Sequence, residues 1–242
     1  KGIDMSRFFE ELDYQPTVIG PISLRRRREL RLNVDVLEIM LGDEHLMSDL
    51  FTTSEIALAK YGLDAVDKDG QLSVVVGGLG MGFTAAAVLE DDRIDTLLVV
   101  EKLSAVLDWH KKGLIPLGET LTQNPKVQLV EGDFFQLAHA AKGFDPHTAA
   151  RQFDAILLDI DHTPDFQLAA SHAGFYQPDG LTEVKKHLLP KGIFALWSNE
   201  PPDEGFVMRL QSVFASASTV KIPFYNPLQD RDFVQSIYLA QA

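Results

Sequence analysis

The chain has no cysteine, which excludes disulfide frameworks, thiolate metal sites and cysteine nucleophiles together. Positive charge is also scarce, with 22 Lys and Arg against 35 Asp and Glu and a formal net charge of -13. That balance argues against a nucleic-acid partner, because phosphate backbones are held by clustered Lys and Arg. The same field draws a cationic substrate in. Long apolar runs are missing too: stretches such as 74–76 and 97–100 fall far short of the roughly 20 residues a spanning helix needs. No basic-then-apolar leader precedes a small-residue cleavage site. The expectation is therefore a cytoplasmic protein with no membrane partner, in which residues 1–4 read as an added remnant ahead of a native Met5.

What is present is enough for a core, with 242 residues and 45% hydrophobic content. The first fifty residues alternate short β-prone runs with Gly-Pro and Gly-Asp turns, and predict a small antiparallel unit of two or three strands over residues 1–50. Within it "SLRRRREL" (23–30) places four arginines in a row. Such a run reads as an anion patch or, on the usual behaviour of charge runs, as a solvated edge strand or turn. A helix is expected from 53 to 61, closed by Gly62.

From residue 72 the pattern becomes strand, turn, helix, repeated, which assigns 51–242 to one α/β domain. Strands are expected at 72–77, 96–101, 127–130, 153–159, 193–197, 217–222 and 233–240, with helices such as 84–90 and 103–112 between them. Solid apolar strands alternating with helices predict a mostly parallel sheet covered on both faces. The last two strands are joined by "PFYNPLQDRD", too short for a helix, so they close the sheet as an antiparallel pair. The outline resembles the seven-stranded, Rossmann-like α/β sheet of class I S-adenosylmethionine-dependent enzymes. In such sheets the ligand lies at the carboxyl ends of the strands.

The motifs fall at those ends. Gly78, Gly80 and Gly82 in "VVVGGLGMGF" follow a strand and open a helix, so the chain turns tightly and a ligand can approach bare backbone. Glu101 ends the next strand, where an acid can accept both ribose hydroxyls of a nucleoside. Asp133 ends the third, within reach of an adenine amino group in the methyltransferase arrangement; as a plain helix N-cap it would say nothing about ligand. The fourth strand runs into Asp159, Asp161 and His162. Asp159 points into the expected cleft, while Asp161 either shares its side or caps the following turn, and His162 is a cleft residue or an exposed loop histidine. Trp197 floors the pocket or fills core.

From Val74 onward the chain resembles the spermidine synthase family, the polyamine aminopropyltransferases. The family's G-G-G-D-G-G loop and V-E strand end match "GLGMGF" and "VVE", and its "GD" matches Gly132 and Asp133. Its "YDVIIVD" with S-x-D-P resembles "FDAILLDIDHTP", and its P-G-G-x-x-x-x-Q-S-E-x-P resembles "PKGIFALWSNEP" (190–201). The resemblance implies aminopropyl transfer from decarboxylated S-adenosylmethionine to a small amine, with no metal, in a homodimer whose amino-terminal strands lie near the interface. It implies Asp159 as the base that takes the amine proton, Gly78, Gly80, Gly82, Glu101 and Asp133 at the donor, and Asp161, His162, Glu55 and Tyr225 at the acceptor.

Several positions depart from the family. Met81 stands where the loop carries the Asp that holds the donor's amino group, and a thioether cannot bind an ammonium as a carboxylate does. His162 replaces a second acid. Thr53 and Ser54 stand for the Tyr and His of D-E-x-x-Y-H-E, of which only Asp49 and Glu55 survive. These departures keep two alternatives open. One is a small-molecule O-methyltransferase using intact S-adenosylmethionine, in which Asp159, Asp161 and His162 could offer a divalent metal oxygen and imidazole ligands. The other is a non-catalytic thioadenosine binder.

Overall fold

The computed structural model of the protein describes residues 8–17 and 19–242; residues 1–4 and Met5, read above as remnant and native start, lie outside them. Two sheets are present. The first is antiparallel, in the order β1 (Phe9–Thr17), β2 (Gly20–Glu29), β3 (Val34–Leu41), β4 (Glu44–Ser48), one strand more than expected. The extra strand follows a tight turn at Gly42, whose φ of 58° lies in the left-handed region open to glycine.

The arginine run is neither an edge strand nor an anion patch. Residues 25–28 lie on β2, an interior strand, and each arginine meets an acid: Arg25 with Glu11, Arg26 with Glu10, Arg27 with Glu29 and Glu38, and Arg28 with Asp35. Because successive side chains on a strand point to opposite faces, four adjacent cations find partners on both faces.

The second sheet has the order β10-β11-β9-β8-β5-β6-β7. Its strands are β5 (Leu72–Gly77), β6 (Ile94–Glu101), β7 (Val127–Glu131), β8 (Phe153–Leu158), β9 (Leu188–Ser198), β10 (Ser216–Asn226) and β11 (Arg231–Gln241). All pairings are parallel except those of β11, which runs antiparallel to β9 and β10. This is the expected seven-stranded sheet with an antiparallel last strand.

Alternation along the central strands splits the core in two. Val74 and Val76 of β5 pack into one cluster with α1 (Thr53–Asp64), α2 (Phe83–Val88), α3 (Ser104–Lys111), α4 (Gly118–Thr122) and the inner face of the first sheet. Val75 packs into the other, with α5 (Phe134–His139), α6 (Pro178–Lys185) and α7 (Glu204–Val213). Helix α1 does not stop at Gly62 but runs on to Asp64. An added Cβ at Gly62 would stand 2.5 Å from Leu157 Cδ2 and 3.3 Å from Ala195 Cβ, so this glycine lets the helix lie close on β8 and β9.

Candidate active site

The turn after β5 is shaped for a backbone that leaves no room for side chains. Gly78 and Gly80 have φ of 95° and 48°, and a Cβ on Gly78 would strike the carbonyl oxygen of Asp159. That approach brings the ends of β5 and β8 together, where the Asp159 N–H donates to Gly77 O at 2.8 Å. His110 Nε2 lies 2.9 Å from Gly80 O on the far side of the loop. Glu101, buried at the end of β6, accepts from Leu79 N–H at 3.1 Å with one oxygen and from Leu103 N–H at 2.8 Å with the other. Burial pushes its carboxyl up, opposed by these backbone donors.

One cavity opens over this rim. Its walls include Gly78, Gly80, Glu101 and Asp133, and on the other side Asp159, Glu55 and His162. Ile19, Ile39, Leu46 and Met47 of the first sheet also line it. Seven of the ten residues expected at the site therefore converge. Gly82 is outside: it is the N-cap of α2, and a Cβ there would meet Leu121 Cδ1 at 2.5 Å.

Asp159 and Glu55 are the chemically distinctive pair. Burial lifts Asp159 to about 6, against a hydrogen bond from Thr84 Oγ at 2.7 Å that favours its charged form. Burial, and secondarily the charge of Asp159, lift Glu55 to about 7, against a hydrogen bond from Ser54 Oγ at 2.7 Å. Two carboxyls facing one partly desolvated space cannot both ionise freely, so the pair holds a proton near neutrality. Thr84 and Ser54 act behind these acids and were not singled out by the sequence for that role.

Asp161 and Tyr225 do not line the cavity. Asp161 is 1% exposed and turns inward, accepting from Leu168 N–H at 2.8 Å, Tyr176 OH at 2.7 Å and His172 Nδ1 at 2.9 Å. It ties down the segment after β8. The three residues 159, 161 and 162 thus do not face one point as metal ligands would. Tyr225, on the β10–β11 hairpin, is 54% exposed and bonded to Asp230. Asp133 is an N-cap as well as a wall, with Oδ1 accepting from Phe135 and Gln136 N–H and Oδ2 paired with Lys102 at 2.8 Å. Burial raises its carboxyl, and Lys102 with the Gln136 N–H more than offset this, holding it below its usual value.

Met81 is 1% exposed and packs in the core, while the sulfur of Met47 covers Gly80. Asp49 accepts from Leu37 N–H at 2.9 Å, serving β3. Trp197 both lines the cavity and packs against core, with no hydrogen-bond partner for its Nε1 among the described residues. No group of three or more His, Asp or Glu able to hold a metal is found among the described residues, and no helix there is long and apolar enough to cross a membrane.

No family model and no curated protein matches the sequence. Solved structures do match. A spermidine synthase from Thermotoga maritima superposes with a TM-score of 0.71 and 16% identity, covering 96% of this chain and 72% of that one. A spermidine synthase in complex with the transition state analogue AdoDATO gives 0.70 and 16%, with the same coverage. At that identity the likeness is one of fold: the chain shares with these spermidine synthases a mostly parallel seven-stranded sheet preceded by a small antiparallel one.

Proposed function

We propose that this chain transfers an aminopropyl group from decarboxylated S-adenosylmethionine to a small amine, with Asp159 as the base. The observation that carries the reading is the Asp159–Glu55 pair, lifted to about 6 and about 7, in the same cavity as the glycine loop and Glu101. In this reading Gly78, Gly80 and Glu101 hold the nucleoside, Asp133 lies beside the base, and Glu55 and His162 face the acceptor. In the same reading the first sheet, through Ile39, Leu46 and Met47, roofs the cavity of the catalytic domain 51–242.

An aliphatic amine attacks only when neutral. A carboxylate whose pKa is raised towards neutrality is a stronger proton acceptor than an ordinary one and is still substantially ionised at the working pH, which suits it to take the amine proton. The nitrogen lone pair forms a bond to the methylene attached to the sulfonium. The old carbon–sulfur bond breaks, its electrons return to sulfur, and methylthioadenosine leaves as a neutral thioether. The proton lost by nitrogen goes to Asp159. Because the sulfonium is already a good leaving group, the remaining task is alignment of nitrogen, carbon and sulfur. A solved spermidine synthase of this fold binds a transition state analogue, which supports the same use here. Exposed Phe9 and Tyr14 on the edge strand β1 support a homodimer joined there.

One observation favours methyl transfer from intact S-adenosylmethionine. Met81 lies in the core and Met47 covers the loop, so no acid stands where the resemblance expects the donor's ammonium to pair. Calorimetric titration with decarboxylated S-adenosylmethionine, the intact form and methylthioadenosine separates the readings. Preference for the decarboxylated donor is the expected result; preference for the intact form selects methyl transfer, and binding without turnover selects a passive binder. Asp159→Asn is expected to abolish turnover with nucleoside affinity kept within a few-fold, and an active Asn variant would remove Asp159 as base.

A further inference from the structure

We infer that His172, held by Asp161 and Tyr176, is a nucleobase-reading residue that accepts a hydrogen bond from the exocyclic amino group of the bound base. This rests on the nucleoside reading given above. His172 lines the same cavity as Gly132 and Asp133, is 6% exposed, and lies flat on Phe135 with ring centroids 3.9 Å apart. Its Nδ1 is 2.9 and 3.1 Å from the two oxygens of Asp161. Those oxygens also accept from Tyr176 OH and Leu168 N–H, so the carboxylate is surrounded by donors. A carboxylate so placed requires the proton of the neutral imidazole to be on Nδ1.

The other nitrogen is then a bare acceptor. Among the described residues Nε2 is buried with no hydrogen-bond partner, and buried polar atoms without partners are uncommon in folded proteins. The neighbouring acid is already engaged, since Asp133 is occupied by Lys102 and two backbone N–H groups. An adenine-type base offers the complement, an amino N–H. A hypoxanthine-type base presents a carbonyl oxygen in its place and sets one lone pair against another.

The test compares methylthioadenosine with methylthioinosine by calorimetry on wild type and His172→Phe, a change that keeps an aromatic ring against Phe135. Wild type should prefer the amino base by about tenfold or more, and the variant should lose that preference while its affinity for methylthioinosine changes little. An undiminished preference in the variant overturns the inference. Should wild type bind neither ligand, the nucleoside reading itself falls and takes this inference with it; equal binding of both by wild type sinks this inference alone. Nitrogen-15 NMR of histidine-labelled wild type is a second readout independent of the variant's folding. Nε2 should resonate as an unprotonated nitrogen in the free protein and shift on adding methylthioadenosine, and a protonated Nε2 in the free protein would count against the assignment.

Discussion

At Glu55 and Asp159, burial ties a side chain's protonation to the stability of the fold. Each carboxyl has a folded pKa raised above its unfolded value, so the folded state holds protons that the unfolded chain releases. The stabilisation is therefore complete below about pH 4 and is lost as pH rises through the 6 to 7 region. Histidines 110 and 187, lowered by burial, contribute the opposite slope below about 6.5, so the melting temperature of wild type alone is ambiguous. The difference from Glu55→Gln isolates the carboxyl. We expect that variant to match wild type near pH 4 and to melt higher by roughly 5 °C at pH 8, measured by calorimetry across the range. A difference that shrinks as pH rises would show that Glu55 is not held protonated. Activity should run the other way, rising through the same window as Asp159 loses its proton. At this scale the sequence was informative about placement at a strand end, since Glu101 and Asp159 both line the cavity. It was silent where a distant loop decides direction: Asp161 turns inward because Leu168, Tyr176 and His172 supply donors there, none of them adjacent to it in the chain.

At the scale of elements, the periodic pattern placed every strand of the main sheet, and its errors were in the ends. Strand β9 begins five residues earlier than the apolar run suggests, because the ladder with β8 extends to Leu188. Helix α1 passes through Gly62, which from sequence reads as a stop since glycine is the usual residue just past a helix. What overrides that signal is contact with Leu157 and Ala195, invisible in any local window. The helix carries Glu55 over the sheet, so its seating positions the site. In a helix interior, alanine at position 62 would gain about 1 kcal/mol over glycine. Against this, a methyl 2.5 Å from Leu157 forces α1 outward at a cost of about 1–3 kcal/mol. Gly62→Ala should lower the melting temperature by roughly 5 °C and reduce turnover, whereas a rise in stability would mean the helix has slack.

At the scale of the molecule, the seven strands of the main sheet, its mostly parallel sense with an antiparallel end, and the acids at its rim were legible, because these follow from pattern and strand ends, whereas the order of the strands is set by long-range pairing. The placement of the first sheet was not legible either: Met47 covers Gly80, and Asp13 accepts from Trp109 Nε1 at 2.6 Å across 96 residues. Nothing local encodes such pairings. The Trp109 side chain is fully buried, and its N–H is a donor only, so Asp13 both satisfies it and anchors β1 to α3. Its carboxyl is held below the usual range chiefly by that hydrogen bond. Asp13→Ala would leave the indole N–H buried without an acceptor, a penalty of about 1–3 kcal/mol. If the first sheet is the roof of the cavity, the loss will be felt unevenly. Amides of β1, β2 and β3 should exchange with deuterium faster by about tenfold, in keeping with a local opening, while those of β5 and β8 stay protected. Nucleoside affinity should weaken in step, because Ile39 and Met47 reach the cavity only from that sheet. Uniformly faster exchange in both sheets would instead mean that the two unfold as one unit, and that the roof cannot open without the floor.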